Sequence, residues 1–373
     1  MMHLHVISFD VPYPPNYGGV IDVYYKVKAL AEEGAKVHLH SFSNGREESE
    51  DLKRLCERVY YYPRIKPAAS LPLRVPHIIS SRKSSLLLDH LMEDSYPILF
   101  EGMHTCFYLT HTYLKFRVKI VRMHNIEWEY YGSLAEREPS WSKQQYLLRE
   151  SQLLKKYERR LTAADRILGI SPKDTDYLSK RFNQVDYLPA FHPNDQVTCK
   201  PGKGKYCLYH GNLQVAENHE AAMYLIDGVF HDMKIPLIIA GSNPRPELIT
   251  AISDFDHISL FHNPGEGEML DLIRSAHIHV LPTFQATGIK LKLLKALFNG
   301  RFVAVTPFMV QGNDLGKYCI VAQDTLEYKS LIARLFKYEF SEREIETRRE
   351  LLDTRFSNRL HAKKLIQMFS ENE

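Results

Sequence analysis

The sequence predicts an α/β protein of two domains, each built on a doubly wound parallel sheet. With 373 residues the chain exceeds what one hydrophobic core usually serves, and domains of roughly 150–200 residues are expected. Short β-branched segments alternate with helical patterns along the chain, which is the order of a parallel sheet. A turn-rich stretch at 189–205, with three prolines and two glycines, separates two such series and is interpreted as a hinge.

Each series contains six predicted strands. In the first, a loop after residue 9 leads through Gly18 and Gly19 into a helix that Gly34 ends. The last helical region, 342–369, has a predicted cap at Ser357. The predicted strands are 4–9, 37–42, 97–101, 119–123, 166–170 and 186–188, then 206–210, 236–240, 257–261, 277–281, 302–305 and 319–321. The predicted domains are 1–190 and 205–355, followed by a C-terminal helix at 356–373.

Composition excludes several classes of protein. The chain is 44% hydrophobic and 25% charged, as in ordinary globular proteins, and a net charge of +3 gives no reason to expect a nucleic-acid partner. Its five cysteines lack C-x-x-C spacing and indicate reduced thiols in a cytoplasmic protein. No apolar run approaches the ~20 residues that span a bilayer, so any membrane contact is expected to be peripheral.

Ligands of open α/β sheets bind at the carboxyl ends of the strands, and four predicted loops lie there. The loop at 14–19 ends in Gly18 and Gly19, which let backbone N–H groups approach a phosphate; a tight turn with positive φ explains them equally well. The segment 287–297 places Gly288 and three lysines at a helix start, where a diphosphate would be stabilised; a solvated basic face is the alternative. The other two loops contain Gly211–Asn212, and His124 with Glu127.

Three histidine pairs also attract notice: His3 and His5, His38 and His40, and His277 and His279. Each pair occupies alternate positions of a strand and therefore shares a face of the sheet. Metal ligation is one interpretation. Ordinary strand composition is the other, and three unrelated pairs favour it.

Taken in order, these loops resemble the retaining glycosyltransferases of family 4, which have the GT-B fold. The similarity covers nearly the whole chain and includes 14–19, 122–127, 163–171, 209–212 and 287–297. It implies two Rossmann-like domains facing each other across a cleft, with the C-terminal helix packing back on the first domain. It also implies transfer with retention from a nucleotide-diphosphate sugar, without a bound metal or other cofactor.

The resemblance assigns roles to named residues. The loop of Gly18 and Gly19 would cover the diphosphate of the donor, and His124, with Glu127, would lie near the transferred sugar. The second domain would hold the donor through Gly211, Asn212, Thr287, Gly288, Ile289, Lys290, Lys292 and Lys295. Gly288 and Ile289 would offer backbone amides, and Lys292, or alternatively Lys290, would neutralise phosphate charge.

Two departures from the family pattern leave an alternative open. Many members carry two glutamates eight residues apart, and here Thr287 and Lys295 stand at those positions. A lysine cannot accept the ribose hydroxyl hydrogen bonds that a carboxylate accepts. Lys295 therefore favours a non-catalytic GT-B scaffold or nucleotide-binding protein. A sugar-nucleotide epimerase ranks last, because only Glu127 and Glu101 are candidate cleft carboxylates for acid–base work.

An active enzyme is the preferred interpretation: a glycosyltransferase of surface polysaccharide synthesis, using a glycan or lipid-linked acceptor held by the first domain. The segment 71–83 mixes apolar residues with cations and could rest on an anionic membrane that carries such an acceptor. A loop packed on its own domain explains the same composition.

Overall fold

The computed structural model describes residues 2–66, 74–284 and 291–371. The chain divides into two compact units. It passes from the first unit to the second between Pro193 and Asn194, inside the turn-rich stretch, and returns between Arg355 and Phe356. Each unit contains one wholly parallel sheet, so the predicted α/β architecture is confirmed.

The first unit is built on a seven-stranded sheet in the order β3-β2-β1-β4-β5-β6-β7. Its strands are β1 (His3–Ser8), β2 (Lys36–Ser43), β3 (Arg58–Pro63), β4 (Ile98–Glu101), β5 (Lys119–Arg122), β6 (Arg166–Gly169) and β7 (Val185–Tyr187). Its helices are α1 (Gly18–Glu32), α2 (Glu50–Leu55), α3 (His77–Ser80), α4 (Ser85–Met92), α5 (Glu127–Arg137), α6 (Trp141–Tyr157), α7 (Pro172–Ser179) and, from the end of the chain, α15 (Asn358–Ser370).

Both faces of this sheet are buried, as parallel sheets require. On one face α1 and α15 pack together, and the core includes Val23, Val27, Leu365 and Phe369. Ser357 caps α15 by accepting a hydrogen bond from the Leu360 backbone, as its sequence position predicts. The C-terminal helix therefore belongs to the first unit.

The second unit is built on a six-stranded sheet in the order β10-β9-β8-β11-β12-β13. Its strands are β8 (Cys207–Asn212), β9 (Leu237–Ser242), β10 (Ile258–His262), β11 (Ile278–Leu281), β12 (Phe302–Val305) and β13 (Ile320–Val321). Its helices are α8 (Ala216–Met223), which continues as a π-helical segment Tyr224–Phe230, α9 (Pro246–Ser253), α10 (Glu266–Ser275), α11 (Leu291–Asn299), α12 (Pro307–Val310), α13 (Thr325–Leu335) and α14 (Glu342–Arg355).

Several elements escape the sequence pattern, β3 and α5 among them. Strand β3 is rich in tyrosine and forms an edge of the first sheet, where its rings pack on histidines of β2. Helix α5 contains Gly132, which lowers its intrinsic helix propensity; packing against α6 holds it, with the Ser151 hydroxyl donating to the Trp128 carbonyl at 2.7 Å. The predicted helix 342–369 is two helices that meet at Ser357. Across the described ranges, no helix is long and apolar enough to cross a membrane.

Candidate functional site

The loop between β1 and α1 is fixed by contacts within its own unit. The Tyr17 hydroxyl donates to the Asp10 carboxylate at 2.8 Å. Arg46 donates to the Asn16 side chain at 2.9 Å and lies over the Tyr17 ring, 5.6 Å from its centroid. The loop thus enters α1 along a defined path.

Gly18 and Gly19 open α1, and neither has a positive φ, so the tight-turn explanation of this pair is wrong. A Cβ on Gly19 would lie 2.6 Å from the Phe9 ring, so any side chain there would force the ring to shift. A Cβ on Gly18 would have no described neighbour within 4 Å. Packing therefore explains Gly19, whereas no described residue packs on Gly18 at the start of the helix.

Four charged side chains form a fully buried cluster directly beyond this loop; we call it the charged cluster. Asp22 and Lys26 lie one helical turn apart on α1, Glu101 ends β4, and Arg122 ends β5. The Lys26 ammonium donates to Asp22 at 3.0 Å and to both oxygens of Glu101 at 2.7 and 2.8 Å. Arg122 lies 3.6 Å from Asp22, so two carboxylates face two cations.

The cations keep both carboxylates ionised. Burial alone would raise the pKa of Asp22, but Lys26 and Arg122 outweigh it and hold the pKa below its usual range. Burial would likewise raise the pKa of Glu101, but Lys26 and His124 outweigh burial, so this pKa is also lowered. Ligand atoms of Asp22, Glu101 and His124 lie within 4.8 Å of one another, a spacing that suits a metal ion. Here Lys26 bonds to both carboxylates and supplies a positive charge between them.

His124 is attached to the charged cluster and is 5% exposed. Its Nε2 lies 2.9 Å from a Glu101 oxygen. Because that carboxylate is ionised, Nε2 donates the hydrogen, and in the neutral imidazole Nδ1 is left as an acceptor. Nδ1 has no hydrogen-bond partner among the residues that the structure describes. With a neutral ring, His124 therefore presents a fixed acceptor at the carboxyl edge of the sheet.

Glu127, the other predicted catalytic residue of this loop, is the first residue of α5 and is 1% exposed. Burial raises its pKa to about 8, although the Asn125 side chain and Arg82 oppose the shift. Its Oε1 lies 3.8 Å from Nδ1 of His104, and burial lowers the pKa of His104 well below its usual range. At neutral pH Glu127 is therefore mostly a neutral acid that can donate a hydrogen bond.

The paired strand histidines bond to each other and to tyrosine. Nδ1 of His5 lies 2.8 Å from Nε2 of His40, whose Nδ1 lies 2.8 Å from the Tyr62 hydroxyl. That hydroxyl lies 2.7 Å from Nδ1 of His90, and Nε2 of His5 lies 2.9 Å from Asp94. We call these five residues the histidine chain. In the second unit His277 accepts from the Gly204 backbone at 3.0 Å, which is a structural contact.

In the second unit Gly211 and Asn212 end β8, as predicted. A Cβ on the facing Gly241 of β9 would lie 1.8 Å from the Gly211 carbonyl, so the strands approach closely here. Asn218 of α8 ties the turn down: its Nδ2 donates to the Asn212 carbonyl at 2.9 Å, and the Tyr209 hydroxyl donates to its carbonyl at 3.1 Å.

Lys292 contacts Asn218 and Tyr209 of the same group of residues. Its ammonium donates to Oδ1 of Asn218 at 2.9 Å and lies 5.3 Å from the centroid of the Tyr209 ring. Lys295, one turn further along α11, is half-buried, and burial lowers its pKa against the opposing influence of Glu266. Both lysines lie close enough to His210 to lower its pKa, after the larger effect of burial. Thr287, Gly288, Ile289 and Lys290 lie outside the described residues.

Sequence reasoning did not identify the residues that hold the predicted site residues in place. Lys26 and Asp22 have the i, i+4 spacing of a helix pair, but nothing in the pattern shows that they face inward. The sequence indicates no role for Glu101 except as a candidate acid–base carboxylate of an epimerase. Asn218 carries no sequence signal. The structure brings His124 together with Glu101, and Lys292 together with Gly211 and Asn212, each within its own unit.

Comparison with known proteins agrees with this arrangement. The family model described as glycosyl transferases group 1 matches residues 204–337. An uncharacterized 44.6 kDa protein in the cps region of Klebsiella pneumoniae is 28% identical over 370 residues, covering 90% of this chain and 92% of that protein.

Solved structures extend the similarity to the whole chain. Sucrose-phosphate synthase from Thermosynechococcus elongatus is 14% identical with a TM-score of 0.68, covering 100% of this chain and 99% of that one. HepE of Anabaena, solved with UDP and glucose, is 9% identical with a TM-score of 0.66 and full coverage of both chains. At these identities the likeness shows the fold, and the predicted GT-B fold is confirmed.

Proposed function

We propose that this chain, which carries a glycosyl transferases group 1 domain within a GT-B fold, transfers a hexose from a nucleotide-diphosphate sugar to a glycan or lipid-linked acceptor with retention. The family match over residues 204–337 is the observation that carries the proposal. The relative in a cps region supports a role in surface polysaccharide synthesis. HepE, whose structure contains UDP-glucose, supports a nucleotide sugar as donor.

In this proposal the second unit binds the donor. The turn at Gly211 and Asn212 approaches the donor through backbone groups, and Lys292, oriented by Asn218, neutralises the diphosphate. Gly288 and Ile289 add backbone amides, and either Lys290 or Lys292 balances the charge that develops on the leaving diphosphate. No metal or other cofactor enters the proposed reaction.

The first unit supplies the acceptor side. His124 accepts a hydrogen bond at Nδ1 from a hydroxyl of the transferred sugar, because Glu101 fixes its other nitrogen as a donor. No described residue packs on Gly18, so the backbone N–H groups at the start of α1 stay open to a phosphate oxygen. Fixed donors and acceptors of this kind lower a barrier because they need no reorganisation during the reaction.

The proposed location is the cytoplasmic face of a membrane that carries the acceptor, with peripheral contact only. In the described part of segment 71–83, Ile78 and Ile79 are buried in the core of the first unit, as the packed-loop alternative expects. Any contact with lipid must therefore involve other residues. Leu71, Pro72 and Leu73 lie outside the described residues.

A non-catalytic scaffold is the second candidate, and Lys295 is the observation that favours it. A lysine at this half-buried position cannot accept hydrogen bonds from a ribose. This candidate predicts a protein that binds a partner or a nucleotide and releases no sugar.

Thermal stabilisation by UDP, GDP, ADP and CDP and their sugar conjugates, followed by donor hydrolysis, separates the two candidates. We expect one nucleotide to raise the melting temperature and its sugar conjugate to be hydrolysed slowly. K292M should weaken nucleotide binding about tenfold, because it removes a charge-assisted contact. K205M, which removes an exposed lysine of the same unit, is the matched control.

H124A tests the first unit separately. It should lower the rate of sugar release about 10²-fold while leaving nucleotide binding unchanged, since one preorganised contact is lost. No stabilisation by any nucleotide, or stabilisation without sugar release from any conjugate, would support the scaffold instead.

A further inference from the structure

Arg82 is a buried cation outside the charged cluster. It follows α3 and is 4% exposed. Its Nε donates to the Phe9 carbonyl at 2.8 Å, and Nη1 donates to the Ile78 carbonyl at 2.5 Å. In the described part of the chain, no carboxylate lies within 4.0 Å of the guanidinium, and Nη2 makes no hydrogen bond. Among the described residues, Arg82 thus bonds to two neutral carbonyls and to no carboxylate.

The groups around Arg82 do not compensate its charge. Burial lowers the pKa of Arg82 to about 9, with Arg64 contributing, so the guanidinium stays charged at neutral pH. The charge of Arg82 acts to lower the pKa of Glu127, but burial raises this pKa, so Glu127 is mostly protonated and supplies little negative charge. The charge of Asp10 opposes the lowering of the Arg82 pKa, but in the described part of the chain its carboxylate is hydrogen-bonded to Tyr17 and the Val11 backbone and forms no ion pair with Arg82.

Arg82 belongs to the same edge of the sheet as His124. Phe9 connects them: its carbonyl binds Arg82, and its ring lies 5.3 Å from the His124 ring and 5.4 Å from the His104 ring. His104 in turn lies 3.8 Å from Glu127. A ligand that contacts Nδ1 of His124 therefore lies near a buried cation that forms no ion pair with any described residue.

An uncompensated buried charge costs several kcal/mol, and a bound anion recovers part of that cost. The planar guanidinium suits carboxylate and phosphate oxygens, which accept two parallel hydrogen bonds. A protonated carboxyl such as Glu127 can add a further donor to an anionic oxygen.

We propose that the acceptor site of the first unit recognises an anionic group, a carboxylate or a phosphate, through Arg82, with Arg64 adding to the field and Glu127 donating a hydrogen bond. This inference rests on the proposed function, because it specifies the chemistry of the acceptor. A sugar acid or a sugar phosphate supplies the required group, whereas a neutral sugar does not.

Calorimetric titration of the full chain with four sugars tests the inference. The probes are methyl α-glucuronide and methyl α-glucoside, then glucose 6-phosphate and glucose, so each anion has a neutral partner. We expect at least one anionic sugar to bind about tenfold more tightly than its neutral partner, the range of one charge-assisted hydrogen bond. Which pair shows the preference assigns carboxylate or phosphate.

Variants locate the site. R82Q should remove the preference for the anion, and R64Q should reduce it about threefold through the field alone. R58Q, which removes an exposed arginine of β3, is the matched control and should leave binding unchanged. If R82Q fails to fold, as circular dichroism would show, the effects of R64Q and of the charge-conserving R82K on the preference for the anion decide whether Arg82 binds it.

Equal binding of anionic and neutral sugars by the unaltered protein would overturn the inference. So would a preference that persists in R82Q, or one that K292M abolishes, since the anion would then occupy the second unit. Nucleotide binding and donor hydrolysis are measured on the same samples. Their failure would overturn the proposed function, and retention of both without an anion preference would overturn only the present inference.

Discussion

The first unit buries two polar networks that differ in charge. The charged cluster holds four ionised side chains at 0% exposure and contacts His124. The histidine chain links three histidines and a tyrosine to one carboxylate, Asp94. Both networks join α-helical and strand residues across the sheet, but only the charged one ends at the predicted catalytic histidine.

One carboxylate orders the whole histidine chain. Burial acts to raise the pKa of Asp94, but hydrogen bonds from His5 and the Tyr96 backbone, together with the charge of Arg117, lower it, so Asp94 accepts from Nε2 of His5. Neutral His5 then accepts at Nδ1 from His40, which accepts at its own Nδ1 from Tyr62. Tyr62 finally accepts from Nδ1 of His90. Each hydrogen bond of the chain therefore has one donor and one acceptor, and no imidazole needs a positive charge.

The comparison shows two ways to bury polar groups. Removing a neutral member of the histidine chain loses only hydrogen bonds, whereas removing a member of the charged cluster leaves an uncompensated charge. The charged cluster, which costs more free energy to disrupt, lies beside the loop of Gly18 and beside His124. Its fixed charges orient the imidazole of His124. The following predictions run from the largest expected effect to the smallest.

K26M should be the most damaging single change in either network. It leaves Asp22 and Glu101 buried without their shared cation, which costs about 3–5 kcal/mol in the free energy of unfolding. Urea denaturation measures the change. K28M, on the exposed side of the same helix, should cost less than about 0.5 kcal/mol. Similar losses in both variants would contradict the comparison.

Acid should weaken the histidine chain before the charged cluster. Burial lowers the pKa of His5 from 6.5 to about 4, although Asp94 opposes the shift. As the pH falls from 6.5 to about 4, the unfolded chain binds a proton that the folded chain does not. Stability is therefore complete above pH 6.5 and is lost on acidification, by up to about 3 kcal/mol for His5.

Urea denaturation at pH 7, 5.5 and 4.5 checks this slope. The H5Q variant cannot titrate at this position, so its stability should be lower at pH 7 and flatter across the series. The carboxylates of the charged cluster stay ionised in this range because their pKa values are lowered. A slope that H5Q leaves unchanged would assign the acid sensitivity to other groups.

Y62F should have the smallest effect of the three. It removes the hydroxyl between His40 and His90 and leaves two imidazole nitrogens without that partner, at a cost of about 1–2 kcal/mol. Y60F, on the same strand, loses only the long 3.3 Å contact from Arg58 and serves as the control. A loss in Y62F as large as that in K26M would mean that charge is not what separates the networks.

The sequence by itself determined the fold class and the order of the elements. Alternating hydrophobic patterns, glycine and proline turns and the Ser357 cap are local signals, and twelve predicted strands, the C-terminal helix and Gly211–Asn212 at the end of β8 follow from them. Local signals did not find β3 or α5, since contacts with β2 and α6 hold these elements.

Only the tertiary structure decided what the polar residues do. Asp22, Glu101 and His124 are separated in sequence, and burial at one sheet edge makes Lys26 the shared partner of the two carboxylates and lets Glu101 fix the imidazole. The ring of Phe9 packs closely on Gly19, and Arg82 is buried without a carboxylate partner in the described part of the chain. Charge and hydrogen-bond direction depend on neighbours in space, which a pattern along the chain does not contain.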